Sequence, residues 1–208
     1  MTISYYGEGC FKIQSGEAAV LIDPPSPQSG LTTPRFKADI ILKTLTPFPI
    51  DSQLTADDQR LIYGPGEYNI KEIDILGLAN KKESAENFLK TIYLIKTESL
   101  KLCLLGHLAE APEPDIAKHL EEIDILFIPA GGNPFIGQEE AMKLIKNIEP
   151  KIVIPSFYKI PGLKRKSDDL KIFLKEINHG KYEPQEKLTV KKKDLTEIKK
   201  TEVVVLKT

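Results

Sequence analysis

"ADIILKTLTPFPID", residues 38–51, starts as a strand and ends as something else. Ile40, Ile41 and Leu42 form a short apolar run of the kind a buried strand supplies. The chain then enters a loop carrying Pro47 and Pro49. In many α/β proteins the ends of such strands hold the reactive groups, because ligands settle in the crevice outside them. Here the loop offers Leu45, Phe48 and Ile50, with no acid, base or metal ligand before Asp51. A strand end that delivers only apolar side chains to such a position needs an explanation.

Working outward, similar β-branched runs recur at ISYYG, AAVLID, RLIYG, TIYLIK, LKLCLLG, IDILFIP, KIVIP, KLTVKK and EVVVLK. Most are bounded by Gly, Pro or charges. Three stretches repeat apolar residues at helical spacing. They are 113–123 (Ile116, Leu120, Ile123), 137–148 (Ala141, Leu144, Ile145, Ile148) and 167–177 (Leu170, Phe173, Leu174, Ile177). Ser167 is the expected N-cap of the last, with Asp168 and Asp169 in its first turn and Gly180 as its C′ residue. Strands dominate the first half, and helices alternate with strands in the second. That order predicts one α/β domain over residues 1–208.

With 208 residues and 41% hydrophobic content the chain can bury a substantial core. Its net charge of −1 hides an asymmetry. Residues 151–208 hold 15 Lys and Arg against 8 Asp and Glu, whereas residues 1–150 hold 14 against 22. The C-terminal part is therefore a candidate anion-facing surface, with Lys159, Lys164, Arg165 and Lys166 clustered near Phe157 and Tyr158. Solvated Lys-rich helices are the plainer reading of the same charge. Cys10 and Cys103 lie in apolar, strand-like runs, so buried reduced thiols are expected. The sequence opens without a basic segment and long apolar stretch, and no apolar run reaches the roughly 18 residues of a membrane span. A cytoplasmic protein without a membrane partner is the expectation.

Four stretches, in order, carry a resemblance: YYGEGCFKIQ…AAVLIDPP, GLTTPRFKADIILKT, GPGEYNIKEIDILG, and TIYLIKTESLKLCLLG…IDILFIPAGG…IEPKIVIPSFY. Together they resemble the metallo-β-lactamase fold superfamily, specifically its small zinc-dependent hydrolase-like branch related to ascorbate-phosphate lactonases. The resemblance runs nearly end to end. It implies an α/β fold, a four-layer αββα sandwich of two mixed sheets with helices outside. In that family the strand matching ADIILKT leads into a His-x-His-x-Asp-His loop that binds one or two metal ions. Those four positions are Leu45, Pro47, Pro49 and Ile50 here. Another family His falls within Leu78–Lys82, where none exists. A family Asp aligns with His107, the last His aligns with Phe157, and a Gly-His in the opening loop becomes Gly7-Glu8. Metal binding needs lone pairs on N, O or S, and the replacements supply almost none.

The resulting expectation is a metal-free, catalytically degenerate hydrolase homologue that binds or scaffolds an unidentified small molecule or protein. A first alternative is a metal-dependent hydrolase, with zinc as cofactor, rebuilt around His107 with Glu8, Glu67, Asp23 or Glu110. A second is a nucleic-acid or anion binder working through the basic C-terminal part, a reading that the missing ligands and extra domains of RNA-processing relatives weigh against. The structural reading of His107 is a hydrogen-bonded imidazole in a relic pocket, and Asp23 is expected to organise strand-end turns. His119 is expected to pack half-buried, and His179 to meet a helix end. Leu45, Phe48, Ile50 and Phe157 are expected to converge and plug the former metal pocket.

Overall fold

Alternation of buried and half-buried residues in Thr2–Tyr5 (β1) and Phe11–Ser15 (β2) is the signature of antiparallel strands with one face on a core. Every residue of the next strand, Ala18–Ile22 (β3), is buried, as suits a strand covered on both sides. The computed structural model describes residues 1–49, 60–177 and 182–208. The chain continues through Ile40–Leu42 (β4), Leu45–Pro47 (β5), Arg60–Ile62 (β6), Gly66–Ile70 (β7) and Ile73–Ala79 (β8). Then come Phe88–Thr97 (β9), Leu100–Leu104 (β10), Pro114–Ala117 (α1), Ile125–Pro129 (β11) and Gln138–Ile148 (α2). Ile152–Ser156 (β12), Leu170–Glu176 (α3), Leu188–Thr189 (β13) and Glu202–Val203 (β14) complete the order.

Two mixed sheets result. One runs β13-β1-β2-β3-β4-β6, the other β14-β12-β11-β10-β9-β8-β7, with β5 attached to β9. Their inner faces share one apolar core, seen where Phe11 of β2 meets Phe127 of β11 edge-on at 4.8 Å. The expected sandwich is therefore present. Helix α2 connects the parallel strands β11 and β12, with Ala141, Met142, Leu144 and Ile145 buried. Over the first sheet, the segment around Phe36 and Ala38 packs with Cys10, Leu21 and Ile41.

Several local expectations are corrected. The 113–123 helix shrinks to four residues at Pro114–Ala117, and Glu122 turns left-handed at φ 55°. Ile116, Leu120 and Ile123 still reach the core, so burial produced the spacing without a helix. Asp169, not Ser167, caps α3 by accepting from the Lys171 amide at 2.9 Å. KLTVKK and EVVVLK contribute two-residue strands only. The expected loop at Leu45–Pro47 is strand β5, while the runs at Gly66–Ile70 and Ile73–Ala79 form a hairpin. Cys10 and Cys103 are free and buried. Gly180 and His179 lie outside the described residues.

Candidate functional site

The parallel strands deliver their C-terminal ends to one place. Asp23 follows β3, Thr44 follows β4, His107 follows β10 and Phe157 follows β12. Asp23 accepts from the Thr44 amide at 2.7 Å through Oδ1 and from the Thr44 hydroxyl at 2.5 Å through Oδ2. The same hydroxyl lies 2.8 Å from His107 Nδ1. A hydroxyl has one proton, so when Thr44 donates to an ionised Asp23 it must accept from Nδ1–H. That fixes the His107 tautomer and leaves a bare lone pair on Nε2. Burial pushes the Asp23 carboxyl up to about 6, against the lowering effect of the two Thr44 bonds. Burial, with Lys90 and Arg165 nearby, pushes the His107 imidazole down to about 3. The neutral ring is thus the stable form near neutral pH. Gly106 permits the approach, because its φ is +56° and a Cβ there would lie 2.3 Å from Thr44.

Aromatic rings close the space beside this relay. Phe157 is 3% exposed, with its centroid 4.7 Å from the His107 ring and 4.5 Å from that of Phe135. Its backbone is left-handed at φ 58°, unusual for a bulky residue. Two contacts hold it there: its amide donates to the Glu8 carbonyl at 2.8 Å, and its carbonyl accepts from Arg165 Nη2 at 2.8 Å. A Cβ on Gly9 would fall 2.3 Å from the ring, so only glycine allows this seating. Arg165 lies over Phe135 at 4.7 Å and pairs with Glu8 at 3.0 Å. The space left among Gly9, Asp23, Thr44, Phe127 and Phe157 is about 10 Å³, at the lower limit for one water.

The remaining predicted site residues are dispersed. Leu45 and Pro47 are drawn into β5, opposite Lys90 and Phe88 of β9. Phe48 is 42% exposed and Pro49 is exposed, so of the expected plug Phe157 is buried and Phe48 is not. Ile50 lies outside the described residues. Glu67 lies on β7 beside a surface trough with His119, and Glu110 pairs with exposed Lys82, so neither gathers at His107. Glu8 does reach the site, but as the partner of Arg165. That pairing takes Arg165 out of the expected basic cluster.

Sequence reasoning missed Thr44 and Phe135, which carry no motif, and the work of Glu83. The Glu83 carboxylate accepts from the amides of Ala109 and Glu110 and from Lys90, pinning the loop that follows His107. Among the described residues, no group of three or more His, Cys, Asp or Glu could hold a metal ion. Among the described residues, the donors that converge are the His107 imidazole, whose Nδ1 is taken up by Thr44, and an Asp23 carboxylate already bound twice by Thr44. This donor set does not fit a zinc centre, which takes at least three protein ligands.

Residues 2–156 match the family model described as Beta-lactamase superfamily domain. A UPF0173 metal-dependent hydrolase of Natranaerobius thermophilus is 22% identical, with 76% of this chain and 83% of that protein covered. One from Bacillus thuringiensis subsp. konkukian is 23% identical, with 76% and 86% covered. Among solved structures, one from Thermotoga maritima, described as a candidate Zn-dependent hydrolase of the metallo-β-lactamase superfamily, superposes with TM-score 0.78 at 24% identity. It covers 99% of this chain and 97% of its own. Igni18, a metallo hydrolase from Ignicoccus hospitalis, gives TM-score 0.66 at 16% identity, with 100% and 96% covered.

Proposed function

This chain belongs to the beta-lactamase superfamily, and we propose that within it the chain is a metal-free member without hydrolytic activity, retained to bind or scaffold a partner. The observation that carries this reading is Phe157. It stands at the strand end where the family resemblance places a metal-binding His, and its buried ring packs against His107 and Phe135. A phenyl ring offers no lone pair to a metal. The loss is consistent across the site, since Leu45, Pro47 and Pro49 lack donors as well. Metal in such hydrolases lowers the pKa of bound water and stabilises developing negative charge. The converging residues provide no substitute for both roles.

One observation favours a second reading, in which His107 acts in a rebuilt site. The Asp23–Thr44–His107 chain orients Nε2 as an acceptor, much as a carboxylate orients a catalytic imidazole. Burial nevertheless makes this imidazole a weak base.

Metal analysis of protein purified without chelator tests both. The expected result is well under one equivalent of zinc, manganese or iron, and a melting temperature unchanged by EDTA. A metal bound only to the folded state would add RT ln(1 + [L]/Kd) to stability, so chelation would lower the melting point. Stoichiometric metal after dialysis would overturn the proposal. Phosphodiester, lactone and β-lactam substrates should show no turnover above background. Turnover that vanishes in His107→Ala would establish the rebuilt site instead.

A further inference from the structure

The two sheets end in β13 and β6, and in β14 and β7. Three of these edges are blunted by length: β13 and β14 have two residues each, and β6 has three. β7 is different. It has five residues, GEYNI, with no proline and no lysine, and it pairs with β8 without a bulge from Gly66↔Gly77 to Ile70↔Ile73. Short strands, prolines, charged side chains (lysine above all) and bulges are the devices that keep sheet edges from pairing with other chains. Of these β7 carries only the single charge of Glu67.

The hairpin turn sets which groups of β7 face outward. Lys71 and Glu72 both have positive φ, 50° and 61°, so the turn is of the two-residue primed type. Its closing pair, Ile70 and Ile73, exchanges both backbone hydrogen bonds, and bonded pairs then alternate along the ladder. Gly66 and Tyr68 therefore bond to β8. Glu67 and Asn69 turn their N–H and C=O groups away from it. Among the described residues, no backbone group meets those outward groups.

We propose that β7 is the seam of a two-fold homodimer, in which it pairs antiparallel with β7 of a second copy about an axis through Tyr68. The outward groups make this register self-complementary. They lie one residue before and one after Tyr68, so Glu67 faces Asn69 of the second copy and Asn69 faces its Glu67. Every outward N–H and C=O then finds a partner across the seam. The side chains agree with the backbone. Glu67 meets a carboxamide rather than a like charge, and Asn69 Nδ2, which donates to Asp74 at 2.6 Å, keeps a second proton for it. On the opposite face, Tyr68 meets Tyr68 of the second copy as a cross-strand aromatic pair. Room is available too. The outer face beside β7 and β8 is an open trough of about 600 Å³ with Leu76 and Leu94 in its lining.

Sedimentation of the full chain over a wide concentration range tests the proposal. Wild type is expected to form a dimer that dissociates on dilution. Asn69→Pro removes one outward N–H and the side-chain bond to Asp74 while sparing every backbone bond to β8, and is expected to stay monomeric. Hydrogen exchange gives a readout that does not depend on the variant folding. The Glu67 and Asn69 amides should slow as wild-type concentration rises, while the Tyr68 amide, bonded to β8, should not change. A wild type that is monomeric throughout, an Asn69→Pro variant that dimerises like wild type, or concentration-independent exchange at both amides would overturn it.

Discussion

Phe157→Ala should lower the free energy of unfolding by about 3–5 kcal/mol, the range for truncating a large aromatic in a packed core. The ring is 3% exposed and packs between His107, Phe135 and the space that Gly9 leaves open. Little can collapse into the hole, because the neighbouring backbone is held by the Glu8 and Arg165 bonds. Left-handed backbone at this position strains alanine as it strains phenylalanine, so the substitution recovers nothing there. Phe48→Ala is the control. With 42% of its surface exposed, its loss should cost well under half as much, on the order of 1 kcal/mol or less. Urea melts of both variants decide the matter. A wild-type midpoint for Phe157→Ala would show that the ring does not plug the site.

Stability against pH should show a plateau that one substitution tilts. His107 has its folded value depressed to about 3, so its contribution is fully present above about 6.5 and is lost as pH falls through 3. Asp23 has its folded value raised to about 6, so its contribution is present below 3.8 and is lost as pH rises through 6. Between about pH 4 and 6, the folded protein holds a proton on Asp23 and the unfolded chain holds one on His107. Proton counts then match, and the pair adds almost no slope. Below about pH 4 the His107 contribution alone remains to be lost, and stability should decline. His107→Asn leaves Asp23 uncompensated. Relative to wild type, that variant should lose stability as pH rises from 4 to 6, by up to about 1.4 kcal/mol per unit. Denaturant melts of the two proteins across this range measure the difference directly, and backgrounds from other groups cancel. Parallel profiles would show that the two groups do not titrate as a compensating pair.

What the sequence by itself determined is chemical identity and local period. Apolar runs bounded by Gly and Pro marked most of the strands, and together with the helical stretches they pointed to one α/β domain, while the two-sheet sandwich was implied by the family resemblance. The absence of metal donors at Leu45, Pro47, Pro49 and Phe157 was equally legible, because whether a side chain has a lone pair does not depend on its surroundings. Tertiary structure decided everything that depends on meeting. Glu8 and Arg165, 157 positions apart, pair only because a hairpin turn and a late loop reach the same strand ends. Phe48 and Phe157 look alike in sequence, yet β5 pairs with β9 and carries Phe48 to the surface, while β12 ends at the site and buries Phe157. Leu120 and Ile123 keep helical spacing without a helix, since burial sets their positions and the backbone that carries them can turn. The outward groups of β7 are of the same kind. Their direction is fixed by the parity of a hydrogen-bond ladder counted from its turn, and that parity exists only once the hairpin has formed.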